Sequence, residues 1–194
     1  MKYVYKELKY QKEAVQSIID VFKGQLPQEK NVYVRDLGKK DAGALDFDDD
    51  TGYSNADIAL DSKTLFTNIH TVQDSNNISH SDYKETDLGH CSLDVEMETG
   101  TGKTFVYTKT MFELNKVYGW TKFIIVVPSI AIREGVYASI QDTVDYFQEE
   151  YKKKARCFIY SSSNLTQLDS FSSDANINVM IINTQAVMPN RNLD

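Results

Sequence analysis

No apolar run in this chain approaches the ~20 residues that a membrane-spanning helix needs, so the sequence offers no candidate span. The N-terminus, Met1-Lys2-Tyr3-Val4-Tyr5-Lys6, also lacks the apolar core of a signal peptide, which makes the cytoplasm the expected location. Cysteine is scarce: Cys91 and Cys157 stand far apart without a secretion signal and read as reduced thiols rather than a disulfide. His70, His80 and His90, with Cys91, lack the paired spacing of a zinc site and read as ordinary loop residues. An excess of positive charge is missing too, with 21 Lys+Arg against 28 Asp+Glu and a net charge of −7. The deficit is uneven, because residues 24–92 hold 6 Lys+Arg against 13 Asp+Glu while the remainder balances at 15 against 15. Such a balance argues against nonspecific coating of DNA, although it leaves room for a local cationic groove away from the acidic middle.

With 194 residues, 41% of them hydrophobic and 25% charged, the chain suits one good-sized core or one core carrying an elaborate insertion. Its organising stretch is Met97-Glu98-Thr99-Gly100-Thr101-Gly102-Lys103-Thr104. The preceding Leu93–Met97 alternates, with Leu93, Val95 and Met97 on one face and Asp94 and Glu96 on the other, so a short strand is expected there. Gly100 and Gly102 permit backbone angles closed to other residues, letting successive N–H groups from Thr99 onward converge on an anion. Lys103 then supplies a charge for the outer phosphates of a nucleoside triphosphate. Thr104, opening the next helix, places a hydroxyl where Mg²⁺ is held. Met97 stands where the general phosphate-loop pattern has its first glycine, a departure more typical of helicase-type loops than of kinases or GTPases.

Ahead of this loop, an amphipathic helix is expected from about Lys9 to Lys23, with Ala14, Val15, Ile18, Ile19 and Phe22 forming its apolar stripe. Gln11 heads that stripe, and a glutamine amide can match the N6 and N7 edge of adenine with one acceptor and one donor. Tyr3, Tyr5 and Tyr10 lie near enough in sequence to stack on a base. From residue 24 to 90 periodicity fades, which suggests an insertion or sub-domain of short strands, with residues 65–72 as one strand of a hairpin. Asp46, Asp48 and Asp50 start like a calcium loop, but Thr51 stands in the position of the tight-turn glycine, so calcium is not favoured.

Beyond the loop, Tyr107, Met111, Leu114 and Tyr118 mark a helix ending near Gly119. Phe123-Ile124-Ile125-Val126-Val127 reads as a strand buried on both faces. A helix over about 132–153, a strand over 155–160, a serine-rich polar loop and a buried strand at Val179-Met180-Ile181-Ile182 complete an open, mostly parallel α/β sheet. Ligands of such sheets bind at the carboxyl ends of the strands, so Gly100–Thr104, Pro128-Ser129 and Asn183-Thr184 are expected to line one rim.

Several of these stretches carry a family resemblance. Leu8-Lys9-Tyr10-Gln11-Lys12-Glu13-Ala14-Val15 resembles the adenine-reading glutamine motif of superfamily 2 helicases, Met97–Thr104 their motif I, and Val126-Val127-Pro128-Ser129 their motif Ia. Together with Glu113-Leu114-Asn115-Lys116 and the run from Phe123 to Gly135, they are similar to the restriction subunit of type III restriction–modification enzymes. The resemblance is strong over 93–135, modest over 1–23 and 178–187, and absent over 24–90. It implies a RecA-like lobe of an ATP-dependent DNA translocase, with a nuclease elsewhere and a modification (methyltransferase) subunit as partner. It also implies ATP and Mg²⁺ as ligands, held by Gln11, Thr99, Gly100, Thr101, Gly102, Lys103 and Thr104, with Lys103 and Thr104 serving the chemistry. Ser129, Arg133 and Thr184 would grip DNA phosphates.

The Asp-Glu pair that positions the attacking water in such enzymes is absent from this sequence, as is any recognisable nuclease site. The expected domain plan is therefore an adenine-motif helix (1–23), an acidic insertion (24–92) and the start of a RecA-like lobe (93–194). Such an N-terminal piece of a larger polypeptide is expected to bind nucleotide weakly and hydrolyse little alone. Another superfamily 2 helicase or remodeller, a P-loop small-molecule kinase and a non-catalytic ATP-binding scaffold are the competing readings.

Overall fold

The computed structural model describes residues 5–27, 31–34, 51–80, 91–163 and 165–184. Asp46, Asp48 and Asp50, for which calcium is not favoured, lie outside the described residues, as do His90 and Tyr3. Contacts divide the chain into two compact units, the first formed by residues 1–27 with 57–118 and the second by 28–56 with 119–194.

In the first unit, α1 (Lys9–Val21) follows its expected stripe, burying Val15, Ile19 and Phe22. The helix α2 (Ser62–Ser75) packs beside it and finishes it chemically: the Asn68 amide donates to the carbonyl of Val21 at 3.0 Å, an acceptor the helix end leaves unpaired, and to that of Lys23 just beyond at 2.8 Å. The expected hairpin strand at 65–72 is thus a helix. Its signal was a helical one, because Leu65, Ile69 and Val72 recur at 3.6-residue spacing and Asp61 caps the start by accepting from Thr64 N at 2.8 Å. Leu65 is fully buried.

The long helix α3 (Lys103–Tyr118) carries buried residues around much of its circumference, including Val106, Lys109, Met111, Phe112 and Tyr118. Tyr118 donates its hydroxyl to Ile19 O at 2.9 Å, fixing the end of α3 to α1. Gly119 follows in the left-handed region at φ +79°. The strand expected at Leu93–Met97 is not formed: the segment pairs with no strand among the described residues. Alternation sets which side chains share a face but not what covers them. Here residues 91–96 line a cavity of about 470 Å³ together with Ala14, Ile18, Phe66 and Ile69, so helices rather than a neighbouring strand meet this segment.

The second unit holds two sheets. Strands β1 (Asn31–Val34) and β2 (Thr51–Ser54) pair antiparallel, which supplies short strands within the acidic insertion. The main sheet has the order β3-β5-β4, with β3 (Lys122–Val127), β4 (Ala155–Ile159) and β5 (Ile177–Asn183) all parallel. The helix α4 (Ile130–Tyr151) connects β3 to β4, and α5 (Leu165–Ser173) connects β4 to β5. This α/β pattern is that of a RecA-like lobe.

As expected, β5 is buried along its whole length. By contrast, β3 departs from the expected two-sided burial: it pairs on one side only among the described residues, and Ile124 and Val126 are exposed. An unbroken apolar run identifies a strand without fixing its place in the sheet. The serine-rich loop expected before β5 contains α5, whose Phe171 packs edge-on against Phe158 with ring centroids 5.9 Å apart. Asn55, just after β2, caps the entry to β3 by accepting from Thr121 N and Lys122 N and donating to Lys122 O at 2.7–2.8 Å.

Candidate nucleotide site

The loop 97–104, expected to bind phosphate, lies wholly in the first unit. Gly100 and Gly102 adopt φ +81° and +86°, a conformation that costs other residues dearly, and the loop turns directly into the first turn of α3. Thr101 stabilises the bend by donating its hydroxyl to Glu98 O at 2.7 Å. The Thr101 N–H donates to Glu98 O at 3.4 Å, and the helix then starts with Gly102 O accepting from Val106 N at 3.0 Å, which puts the positive end of the helix dipole at the loop. Lys103 is exposed and donates to Met97 O at 2.7 Å, spanning the loop from its end to its beginning. Thr104, in the first turn beside it, is half-buried.

Gln11 belongs to the same site. It is buried, not the exposed helix-start residue its polarity alone suggests. Its Oε1 accepts from Leu8 N at 3.1 Å and its Nε2 donates to Thr101 O at 3.0 Å. Tyr10 donates its hydroxyl to the same Thr101 oxygen at 3.0 Å. Gly102 needs its freedom for the backbone angle, and a Cβ there would lie 2.6 Å from Gln11 Nε2 and push the amide aside. A primary amide has two donor hydrogens and two acceptor lone pairs, and these two bonds use one of each. One donor and one acceptor remain, the complement of an adenine edge. Tyr5 stacks on Phe105 at 5.9 Å between centroids, so the structure places this aromatic against α3.

The predicted DNA-contacting residues lie in the second unit. Ser129 is the N-cap of α4, with Oγ accepting from Ile132 N at 3.3 Å, which leaves its own O–H as a donor. Arg133 reaches across to the end of β5, donating to Asn183 Oδ1 at 3.3 Å, and pairs with Glu134 at 2.9 Å. Thr184 follows Asn183 directly. Arg133 therefore meets Asn183 at the carboxyl end of β5. Sequence reasoning did not anticipate that Arg133 is held by a buried asparagine and a neighbouring carboxylate. Nor did it single out Glu7 and Lys109, which form an ion pair; a lysine inside an otherwise apolar helical face was the available signal.

Residues 5–193 match the family described as Type III restriction enzyme, res subunit. The chain belongs to this family. The Res subunit of the type III restriction–modification enzyme EcoP15I of Escherichia coli is 34% identical over 160 residues, covering 81% of this chain and 15% of that protein. The EcoPI Res subunit of Escherichia phage P1 is 33% identical over the same coverage. The StyLTI Res subunit of Salmonella typhimurium is 44% identical over 89 residues, 45% of this chain and 9% of that protein. The chain thus spans about 15% of the length of the first two Res subunits. The described residues of this Res-family chain contain no helix long and apolar enough to cross a membrane.

Among those residues there is also no cluster of three or more His, Cys, Asp or Glu suited to a metal. His70 and His80 stack at 3.9 Å, and His80 Nε2 lies 2.7 Å from Asp74 Oδ1. His70 sits within α2, not in a loop as expected from the sequence.

Proposed function

We propose that this chain is the ATP-binding helicase lobe of a DNA-dependent ATPase and translocase, the restriction subunit of a type III restriction enzyme. The observation that carries the reading is the bond from Gln11 to Thr101 O, which joins an adenine-type motif to a phosphate loop 90 residues away. Gln11 selects adenine with its remaining donor and acceptor. The backbone from Thr99 to Thr104 cradles the phosphates, Lys103 exchanges Met97 O for the β and γ phosphates, and the Thr104 hydroxyl holds Mg²⁺. A Mg²⁺ ion held there would neutralise charge on the β and γ phosphates.

In the second unit, the Ser129 hydroxyl and Thr184 donate to the backbone phosphates of duplex DNA, joined by Arg133 once its pairing with Glu134 yields. Within a full-length Res polypeptide these contacts couple ATP turnover to movement along DNA, in partnership with a modification subunit, in the cytoplasm. On its own the chain binds nucleotide but turns it over little, since its sequence contains no Asp-Glu pair to position water.

The test is ATP hydrolysis by a full-length Res polypeptide carrying this sequence, with and without duplex DNA, beside Lys103→Ala. Turnover stimulated by DNA and abolished by the substitution is expected. Turnover indifferent to DNA would favour a P-loop kinase and overturn the reading.

A further inference from the structure

Lys109 lies in the middle of α3 and is only 7% exposed. Its ammonium pairs with Glu7, whose other carboxylate oxygen lies 3.2 Å from Lys12 Nζ. Removing a lysine and a glutamate from water is costly, and an apolar pair of similar volume would often serve stability as well. A buried ion pair is better suited to fixing a position, because its donor and acceptor must meet in one arrangement.

What it fixes can be read from the spacing. Thr101, Phe105 and Lys109 follow one another at four-residue intervals, the second and third one turn apart on a face of α3. The segment 5–11 docks onto this series at matched points: Tyr5 on Phe105, Glu7 on Lys109, and Gln11 on Thr101. Glu7 immediately precedes Leu8, whose N–H holds Gln11 Oε1 at 3.1 Å. The bend of the loop comes from two left-handed glycines and the start of α3, and the 5–11 segment hydrogen-bonds to it at Thr101 O.

We propose that the Glu7–Lys109 ion pair is the positioning element for base selectivity in this chain, orienting the Gln11 amide without touching nucleotide. The inference rests on the adenine-reading assignment of Gln11. Displacing Glu7 shifts the Leu8 N–H and with it the free edge of the Gln11 amide, whereas Gly100, Gly102 and Lys103 keep their geometry.

The experiment is a binding titration of the 194-residue chain with Mg-ATP, Mg-GTP and magnesium tripolyphosphate, for the unaltered protein, E7Q and the double variant E7Q/K109M. Circular dichroism and an unfolding transition establish that each variant is folded. E7Q keeps the side-chain volume and a hydrogen-bond acceptor for Lys109, so it provides the reading should the double variant not fold. The expected result is a fall of roughly tenfold in the ATP-over-GTP preference, equivalent to about 1.4 kcal/mol, with tripolyphosphate affinity held within about threefold. An unchanged preference in a folded variant overturns the inference while leaving the adenine assignment intact. An equal loss of ATP and tripolyphosphate overturns it as well, because the pair would then merely hold the fold together. If the unaltered chain itself binds ATP and GTP alike, the adenine assignment fails and the inference falls with it.

Discussion

At Gly102 two constraints meet in one residue: a left-handed backbone at φ +86° and the Gln11 amide where a Cβ would sit. Gly102→Ala is expected to cost about 1–3 kcal/mol in folding stability and to weaken nucleotide binding more than tenfold. Chemical denaturation and a binding titration check both parts. Gly100→Ala carries the backbone strain without the collision, since nothing lies within 4 Å of its Cβ position, and should cost less. The cysteines permit a pH prediction. Burial pushes the Cys157 thiol up to about 12 and raises that of Cys91 more weakly. In the unfolded chain Cys157 ionises near its ordinary value of 9.0, so stability is insensitive to this group below that pH and falls between pH 9 and about 12. Cys157→Ala should flatten that part of the stability profile, and alkylation of the native chain at pH 8 should reach Cys91 before Cys157.

Among the elements, α1 was legible because periodicity and burial agree in it, and β5 because an unbroken apolar run is buried along its whole length, whereas α3 is buried well beyond the single face its apolar spacing marks. The bend at 100–102 was legible at the level of single residues, since the angles that Gly100 and Gly102 adopt follow from the absence of a side chain. Where reading failed, pattern underdetermined partner. Leu93–Met97 alternates like a strand but meets helices, and the apolar β3 run exposes Ile124 and Val126. The missed helices α2 and α5 lie in polar stretches, where a few apolar residues at helical spacing are easily lost among Ser, Thr and Asp.

The cap of α2 offers a test. Hydrogen bonds to the Asp61 carboxylate, first from the Thr64 backbone N–H and then from its hydroxyl, hold its pKa below the usual range. Its contribution is therefore present above the unfolded carboxylate pKa and is lost as pH falls through the lowered native value. Asp61→Asn, which keeps a capping oxygen, should abolish that acid dependence, as read from helical circular dichroism below pH 4. At α4, Ser129→Ala should cost about 0.5–2 kcal/mol through the lost cap. In the full-length protein it should also weaken DNA binding, measurable as reduced DNA-stimulated turnover. A stability loss with unaltered DNA dependence would leave Ser129 as a cap alone.

For the molecule as a whole, the motifs pointed to the family, yet the arrangement that joins them came from the structure. Nothing in Leu8–Val15 reveals that the Gln11 amide is seated on Thr101, because contacts across 90 residues leave no local pattern. The acidic middle is likewise a statement about charge until folded: part of it forms the β1–β2 pair and part forms α2. Two distant motifs are proposed to build one adenine nucleotide site, and isothermal calorimetry of the chain with Mg-ATP and Mg-GTP, beside Lys103→Ala and Gln11→Ala, is the decisive experiment. Binding should favour ATP, disappear in Lys103→Ala and lose its base preference in Gln11→Ala. Binding that ignores the base and survives Gln11→Ala unchanged would rule out a shared adenine site.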